Sequence, residues 1–237
     1  MEQYSIDGIS VNMYSSLVEA SEDIVQHYVG ITSSAVSINP EKIMLARKNS
    51  KMRSMLLASE VRYPDGIGVV KLLEKKSGMS VARIPGCELW EALMKISGEK
   101  NIPVFLVGAS PDVIKTTVQK LNDEYSNNIV GFTDGYFTNE EILISEIKAS
   151  GAKIVSVAMG SPKQELFINN CKDAGIQAFF MGVGGTYDVF TGNVKRAPKL
   201  FCDLGLEWFY RLACQPSRIG RQGNLIKFLW LALRNKL

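Results

Sequence analysis

Three stretches of the sequence place glycine beside polar residues in a pattern that could cradle an anion: "VGASPD" (107–112), "MGSPKQE" (159–165) and "MGVGGTYD" (181–188). Each follows an apolar run and precedes a helical pattern. Glycine at such a junction lets backbone N–H groups approach a ligand, and the N-terminus of the following helix attracts negative charge. One junction is weak evidence. Three on one sheet edge point to a nucleotide or another phosphorylated ligand, with Gly108, Gly160, Gly182 and Gly184 as candidate binding positions.

The third stretch departs from the dinucleotide fingerprint. That pattern wants G-x-G-x-x-G after the first strand, with an acidic residue about 20 positions on. Here Gly182, Gly184 and Gly185 read G-x-G-G, Tyr187 takes the sixth position, and the run lies late in the chain. A nicotinamide-dependent oxidoreductase is therefore the weaker alternative. No G-x-x-x-x-G-K-[ST] stretch exists, so a P-loop is excluded.

"YPDGIGVV" (63–70) sets Asp65 in a turn before a helical stretch. A carboxylate there either caps the helix or faces the ligand edge as a general base. His27 is the only histidine and falls in an early helical segment, which argues against a Ser-His-Asp triad. No D-x-D triplet occurs, which argues against the usual metal-chelating diphosphate site; no metal or cofactor is expected. Diphosphate chemistry without metal needs protein cations, which arginine supplies in a fork that fits phosphate oxygens. "VSIN" brings Ser37 and Asn39 to the end of an early strand, where they could bind sugar hydroxyls or cap the strand end.

The elements that must position these residues read as strands separated by helices. "AVSIN" (35–39), "IPVFLVG" (102–108), "NIVGF" (128–132), "KIVSVAMG" (153–160) and "QAFFMG" (177–182) are strand-like. Helices are expected over "PEKIMLARKNSKMRSMLLAS" and "PGCELWEALMKISGEK", each opened by proline. A third follows Ser110 as N-cap, a fourth follows a Thr138/Glu141 capping box, and a fifth spans "PKQELFINNCKDAG". The alternation implies right-handed crossovers and an α/β, Rossmann-like, mainly parallel sheet with helices on both faces. After Pro198 the pattern changes to two basic, apolar helices split around Gln215-Pro216. The expected division is a Rossmann-like domain over 1–197 and a helical appendage over 198–237.

Charge divides the chain the same way. From Val194 onward nine basic residues face only Asp203 and Glu207, so the tail carries +7 and the rest −4 of the net +3. Such a tail suits an anionic partner: diphosphate, membrane surface or nucleic acid. Its Phe, Trp and Leu content suits lipid better than nucleic acid. Leu225, Phe228, Leu229, Ala232 and Leu233 form one helical stripe that could dock on the body or lie at a membrane surface. The four cysteines form no C-x-x-C pair, and the start lacks a signal-peptide pattern; a cytoplasmic protein is expected.

The chain resembles the WecG/TagA/CpsF family of bacterial glycosyltransferases. The likeness rests on "INPEKI" (38–43), "YPDGIGVV" (63–70), "PVFLVG" (103–108), "DGYF" (134–137), "MGSPKQE" (159–165), "MGVGGTYDVFTGNVKRAP" (181–198) and "LGLEWFYRLACQPSRIGRQ" (204–222). It implies inverting transfer from a UDP-sugar to GlcNAc on undecaprenyl diphosphate at the cytoplasmic leaflet, without bound metal. "LWEALM" (89–94) and "QPSRIGRQ" (215–222) lean toward members that transfer N-acetyl-D-mannosaminuronic acid; UDP-N-acetylmannosamine is the alternative donor. The resemblance makes Asp65 the candidate base, retains Asn39, and sets Ser37 where relatives often have threonine. It places Gln164 and Asp188 in the donor pocket and Arg211, Arg218 and Arg221 in the basic appendage. A uronic donor carries a carboxylate that invites a cation, and Arg83 in "SVARIPG" is the candidate. Oligomeric state is open.

Overall fold

The computed structural model describes residues 2–198, 201, 210 and 219–237, with backbone alone for 219–222. Six strands form one sheet: β3 (Ser33–Ile38), β4 (Val61–Pro64), β5 (Val104–Gly108), β6 (Ile129–Thr133), β7 (Ile154–Ala158) and β8 (Phe179–Gly182). Their order is β4-β3-β8-β7-β5-β6, and every pairing is parallel. Alternate strand residues feed opposite cores, as the period of two requires. In β5, Val104 and Leu106 join one core, and Phe105 and Val107 the other.

Helices cover both faces. On one side lie α1 (Leu17–His27), α5 (Gly86–Glu99), α6 (Pro111–Tyr125) and α9 (Thr186–Phe190). On the other lie α2 (Pro40–Ala46), α3 (Ser50–Leu57), α4 (Ile67–Ser77), α7 (Glu140–Ala149), α8 (Lys163–Asp173) and α10 (Ile219–Leu233). This is the expected Rossmann-like α/β arrangement. The last helix packs on α2, and its Phe228 and Leu231 are buried among Ile43, Met44, Val69 and Val70.

Several local details differ from the sequence reading. The expected helix over residues 40–59 is two helices, because the Asn49 side chain accepts from the Met52 N–H and starts α3 afresh. The cap of α7 is Asn139, whose Oδ1 accepts from the Ile142 N–H, rather than Thr138. Ser110 does cap α6.

Three strands escaped the sequence reading. Val61–Pro64 forms the edge strand β4. Ahead of the sheet, β1 (Gln3–Ile6) and β2 (Ile9–Asn12) form an antiparallel hairpin turning on Asp7-Gly8, both at positive φ as a two-residue hairpin loop requires. The hairpin lies along β4: the Asn12 side chain accepts from the Arg62 N–H at 2.8 Å, and the Arg62 guanidinium donates to the Ser10 carbonyl.

Candidate active site

The sheet order decides where a ligand can bind. The chain leaves β3 outward to β4, whereas β8 is reached from β7 on the opposite side; likewise β5 leads outward to β6 and β7 leads inward to β8. Connections therefore part at β3/β8 and again at β5/β7. Ligands of open α/β sheets bind beyond the carboxyl ends of strands at such points. Along that one edge lie, in spatial order, Asp65 after β4, Ser37 on β3 with Asn39 just past it, Gly182 and Gly184 at β8, Gly160 after β7, and Gly108 at β5.

The turn carrying Asp65 is built by close packing. Its N–H donates to the Ile38 carbonyl at 3.1 Å, tying β4 to β3. The N-cap of α4 is Gly66, so Asp65 does not occupy the capping position. A Cβ on Gly66 would lie 2.8 Å from Pro40 Cδ and 3.3 Å from Asn39 Cβ; glycine lets the starts of α2 and α4 converge. Asp65 stays half-buried. The segment leading into α5 runs alongside, with the Ile84 N–H donating to the Pro64 carbonyl at 2.8 Å. Arg83, half-buried, is thereby set beside the strand end that bears Asp65.

Asn39 has a structural duty: its Oδ1 accepts from the Lys42 N–H at 3.0 Å and caps α2. Ser37 Oγ accepts from Lys42 Nζ at 3.4 Å. Tyr63 is fully buried between Ser37 and Asp65, and burial, reinforced by the Asp65 charge, holds its phenol far above the usual range. It is a neutral hydrogen-bonding group.

The three glycine junctions are held by different means. A Cβ on Gly108 would meet the Ala158 carbonyl oxygen at 2.4 Å, so β5 and β7 approach backbone to backbone. A Cβ on Gly182 would meet Gln164 Nε2 at 2.5 Å. Gln164 lies across Gly182 and accepts from the Gly184 N–H at 3.0 Å through Oε1. That N–H, expected from the sequence to face a ligand, is bound to Gln164 instead. Gly160 and Gly184 have φ of +73° and +55° and open space where a Cβ would be. Asp188 is half-buried in the first turn of α9. That helix is anchored by Tyr187 and Phe190 against Trp90, with ring centroids 5.5 and 5.1 Å apart. Beyond it, Arg196 pairs with Glu88 of α5.

The sequence reading missed two charges at this edge. Lys42 of α2 and Glu165 of α8 form an ion pair at 3.1 Å, their side chains 10% and 8% exposed. Glu165 Oε1 also lies 3.4 Å from Gln164 Nε2, while its buried Oε2 has no hydrogen-bond partner. A cavity of about 10 Å³, lined by Ser34, Ser59, Gln164, Glu165 and Gly182 among others, adjoins the pair. No periodicity marks either residue, since a charged position in an amphipathic helix ordinarily faces water.

Arg211 and Arg218 lie outside the described residues, as does most of the first appendage helix, and Arg221 is described by its backbone alone. Among the described residues, no three His, Cys, Asp or Glu side chains gather into a metal-binding group, and no helix is long and apolar enough to cross a membrane.

The parallel α/β sheet brings a half-buried carboxylate and glycine junctions together along one carboxyl edge, the place where open α/β sheets bind ligands. The family model described as "Glycosyl transferase WecG/TagA/CpsF family" matches residues 4–237, and the chain belongs to that family. It is a glycosyltransferase of the WecG/TagA/CpsF type.

Proposed function

We propose that the chain transfers N-acetyl-D-mannosaminuronic acid, with inversion, from its UDP derivative to GlcNAc carried on undecaprenyl diphosphate. The product is the disaccharide lipid intermediate of enterobacterial common antigen. The observation that carries this reading is the single edge joining Asp65, Ser37 and the glycine junctions, with Arg83 alongside. UDP-sugar lies along it. Asp65 accepts the proton of the acceptor's 4-hydroxyl as that oxygen bonds to the anomeric carbon. The bond from that carbon to the UDP oxygen breaks, and the electron pair leaves with UDP. Arg218 and Arg221, with Arg211, stabilise the departing diphosphate, and no metal is required. Arg83 pairs with the sugar carboxylate.

The appendage over 198–237 also brings the enzyme to its lipid substrate at the cytoplasmic face of the membrane. Phe228 and Leu231 point into the body, whereas Ile226 and Leu233 are 69% and 80% exposed. Arg234 sits 4.0 Å over the half-exposed Trp230 ring. A helix docked by one face therefore offers a second, apolar and basic face to an anionic surface.

The test is turnover with UDP-N-acetylmannosaminuronic acid and UDP-N-acetylmannosamine on the same lipid acceptor. Preference for the uronic donor, lost in Arg83→Ala, is expected. Equal use of both donors, or preference for the neutral one, selects the alternative assignment.

A further inference from the structure

The Lys42–Glu165 pair lies where the sheet parts. Strand β3 pairs with β8 only from Ser33↔Phe179 to Ala35↔Met181, while its residues up to Ile38 pair with β4. Past Ala35 no ladder bond joins β3 to β8, yet Ser37 and Gly184 lie just beyond that point. The polar groups that bridge the gap are continuous. Lys42 donates to Ser37 Oγ at 3.4 Å and meets Glu165 Oε1 at 3.1 Å. Gln164 Nε2 approaches the same oxygen at 3.4 Å, and Gln164 Oε1 takes the Gly184 N–H at 3.0 Å.

We infer that Lys42 and Glu165 are positioning residues that set Ser37 and the Gly182–Gly184 junction at a fixed separation for the donor. Three observations argue for this role over plain stabilisation. A buried ion pair is poor support for a fold, because desolvation offsets much of its attraction. The pair is nearly buried, its side chains 10% and 8% exposed, and its hydrogen bonds go to Ser37 and Gln164 on the two sides of the gap. Glu165 Oε2 takes no bond from any protein donor among the described residues, so the carboxylate is not placed there to satisfy the fold's own N–H groups.

The direction of the hydrogen bonds adds a consequence. An ammonium only donates, so Ser37 Oγ must accept from Lys42, and the Ser37 hydroxyl proton is turned away from the pair. It is available to Tyr63 or to a donor substrate. In the same way, Gln164 cannot flip while the Gly184 N–H holds its oxygen.

This inference rests on the UDP-sugar reading, and the experiment separates the two. The variants are Lys42→Met, Glu165→Gln and the double Lys42→Met/Glu165→Met, whose side chains keep similar length. Each is measured by thermal melting, by calorimetric titration with UDP, and by steady-state kinetics with donor and lipid acceptor varied in turn. Lys42→Met should melt lower, since it leaves a carboxylate buried alone, and the double variant should regain most of that loss. In the double variant kcat/KM for the donor should nonetheless stay down on the order of 10²-fold, the cost of a roughly ångström-scale misplacement. UDP should bind more weakly, and KM for the acceptor should not change. A partly unfolded enzyme would lose turnover without this donor-side split. Donor KM and UDP affinity at wild-type values in the double variant overturn the inference. Should that variant fail to fold, wild-type UDP affinity in Glu165→Gln overturns it equally. If the wild-type chain does not bind UDP, the donor reading falls and the inference falls with it.

Discussion

Alanine at Gly182 and at Gly108 should fail in opposite ways. A Cβ at Gly108 would stand 2.4, 2.6 and 2.9 Å from the Ala158 carbonyl oxygen, carbon and nitrogen, which are backbone atoms of a central strand and cannot turn aside. The residue is also at φ +109°, where an L side chain is strained. Strain of ~1–3 kcal/mol and overpacking of ~1–3 kcal/mol give a loss of roughly 2–6 kcal/mol. For a chain of this size that lowers Tm on the order of 10 °C. At Gly182 the clashing atoms are the Gln164 amide at 2.5 and 2.8 Å, the far end of a flexible side chain. Gln164 can swing away, and the cost is its bond to the Gly184 N–H, ~0.5–1.5 kcal/mol or about 3 °C. Freed of that bond, the junction loses its set position, and UDP affinity should fall ~10-fold, equivalent to about 1.4 kcal/mol. The assays are melting curves and calorimetric titration with UDP. A Gly182→Ala chain that binds UDP as tightly as wild type, or melts as low as Gly108→Ala, refutes the reasoning.

Asp65→Asn keeps the turn but removes the proton acceptor, so kcat should drop ~10²–10⁴-fold with UDP affinity retained; turnover near wild type would dismiss Asp65 as the base. Phe228→Ala deletes the fully buried aromatic that seats α10 on α2. Exchange of amide hydrogens over 219–233 should accelerate while the sheet stays protected, and uniform loss of protection would contradict a locally docked helix. Trp230→Ser should weaken flotation with anionic liposomes at low salt without lowering Tm; unchanged flotation would place the lipid contact elsewhere. Burial raises the Cys171 thiol from its ordinary value near 9 to about 12. Its contribution to stability is whole below pH ~9 and is lost as pH rises toward the folded value, because the unfolded chain releases the proton first. Peptide mapping after alkylation at pH 8.5 should find the half-buried Cys87 modified before Cys171.

Much of the site was legible because its signals are local. Glycines after apolar runs mark the strand ends, and Asp65 stands between proline and glycine where few side chains serve only packing. The parallel order then placed these separate junctions on one edge, as alternating strands and helices demand. The Asp7-Gly8 turn, flanked by the alternating "QYSI" and "ISVN", was an equally local signal for the hairpin, but each strand is only four residues long, too short for the pattern to stand out. The break at Asn49 was hidden by good helix formers on both sides; only the side-chain cap decides it. Lys42 and Glu165 could not be found in this way. Their partnership exists only once α2 and α8 meet across the β3/β8 gap, and in isolation each reads as a solvated helix position. A donor-pocket place for Gln164 was expected only from family likeness, and the structure adds that its side chain holds the Gly184 N–H.

The hairpin lying along β4 has a bearing on how molecules of this chain meet. An edge strand ordinarily offers free N–H and C=O groups to any extended segment that arrives. On β4 the hairpin covers that side: β2 packs along it, the Arg62 N–H is taken by Asn12 and the Pro64 carbonyl by Ile84, while Pro64 itself has no N–H to give. The flank that carries Asp65 is thus closed to strand addition, and a neighbouring chain or a misfolded copy cannot zip onto it and pull the turn out of register. Among the described residues the sheet can be extended only from β6, with four strands between it and the strand that leads to the candidate base. Self-association through that far edge would leave the turn that carries Asp65 untouched.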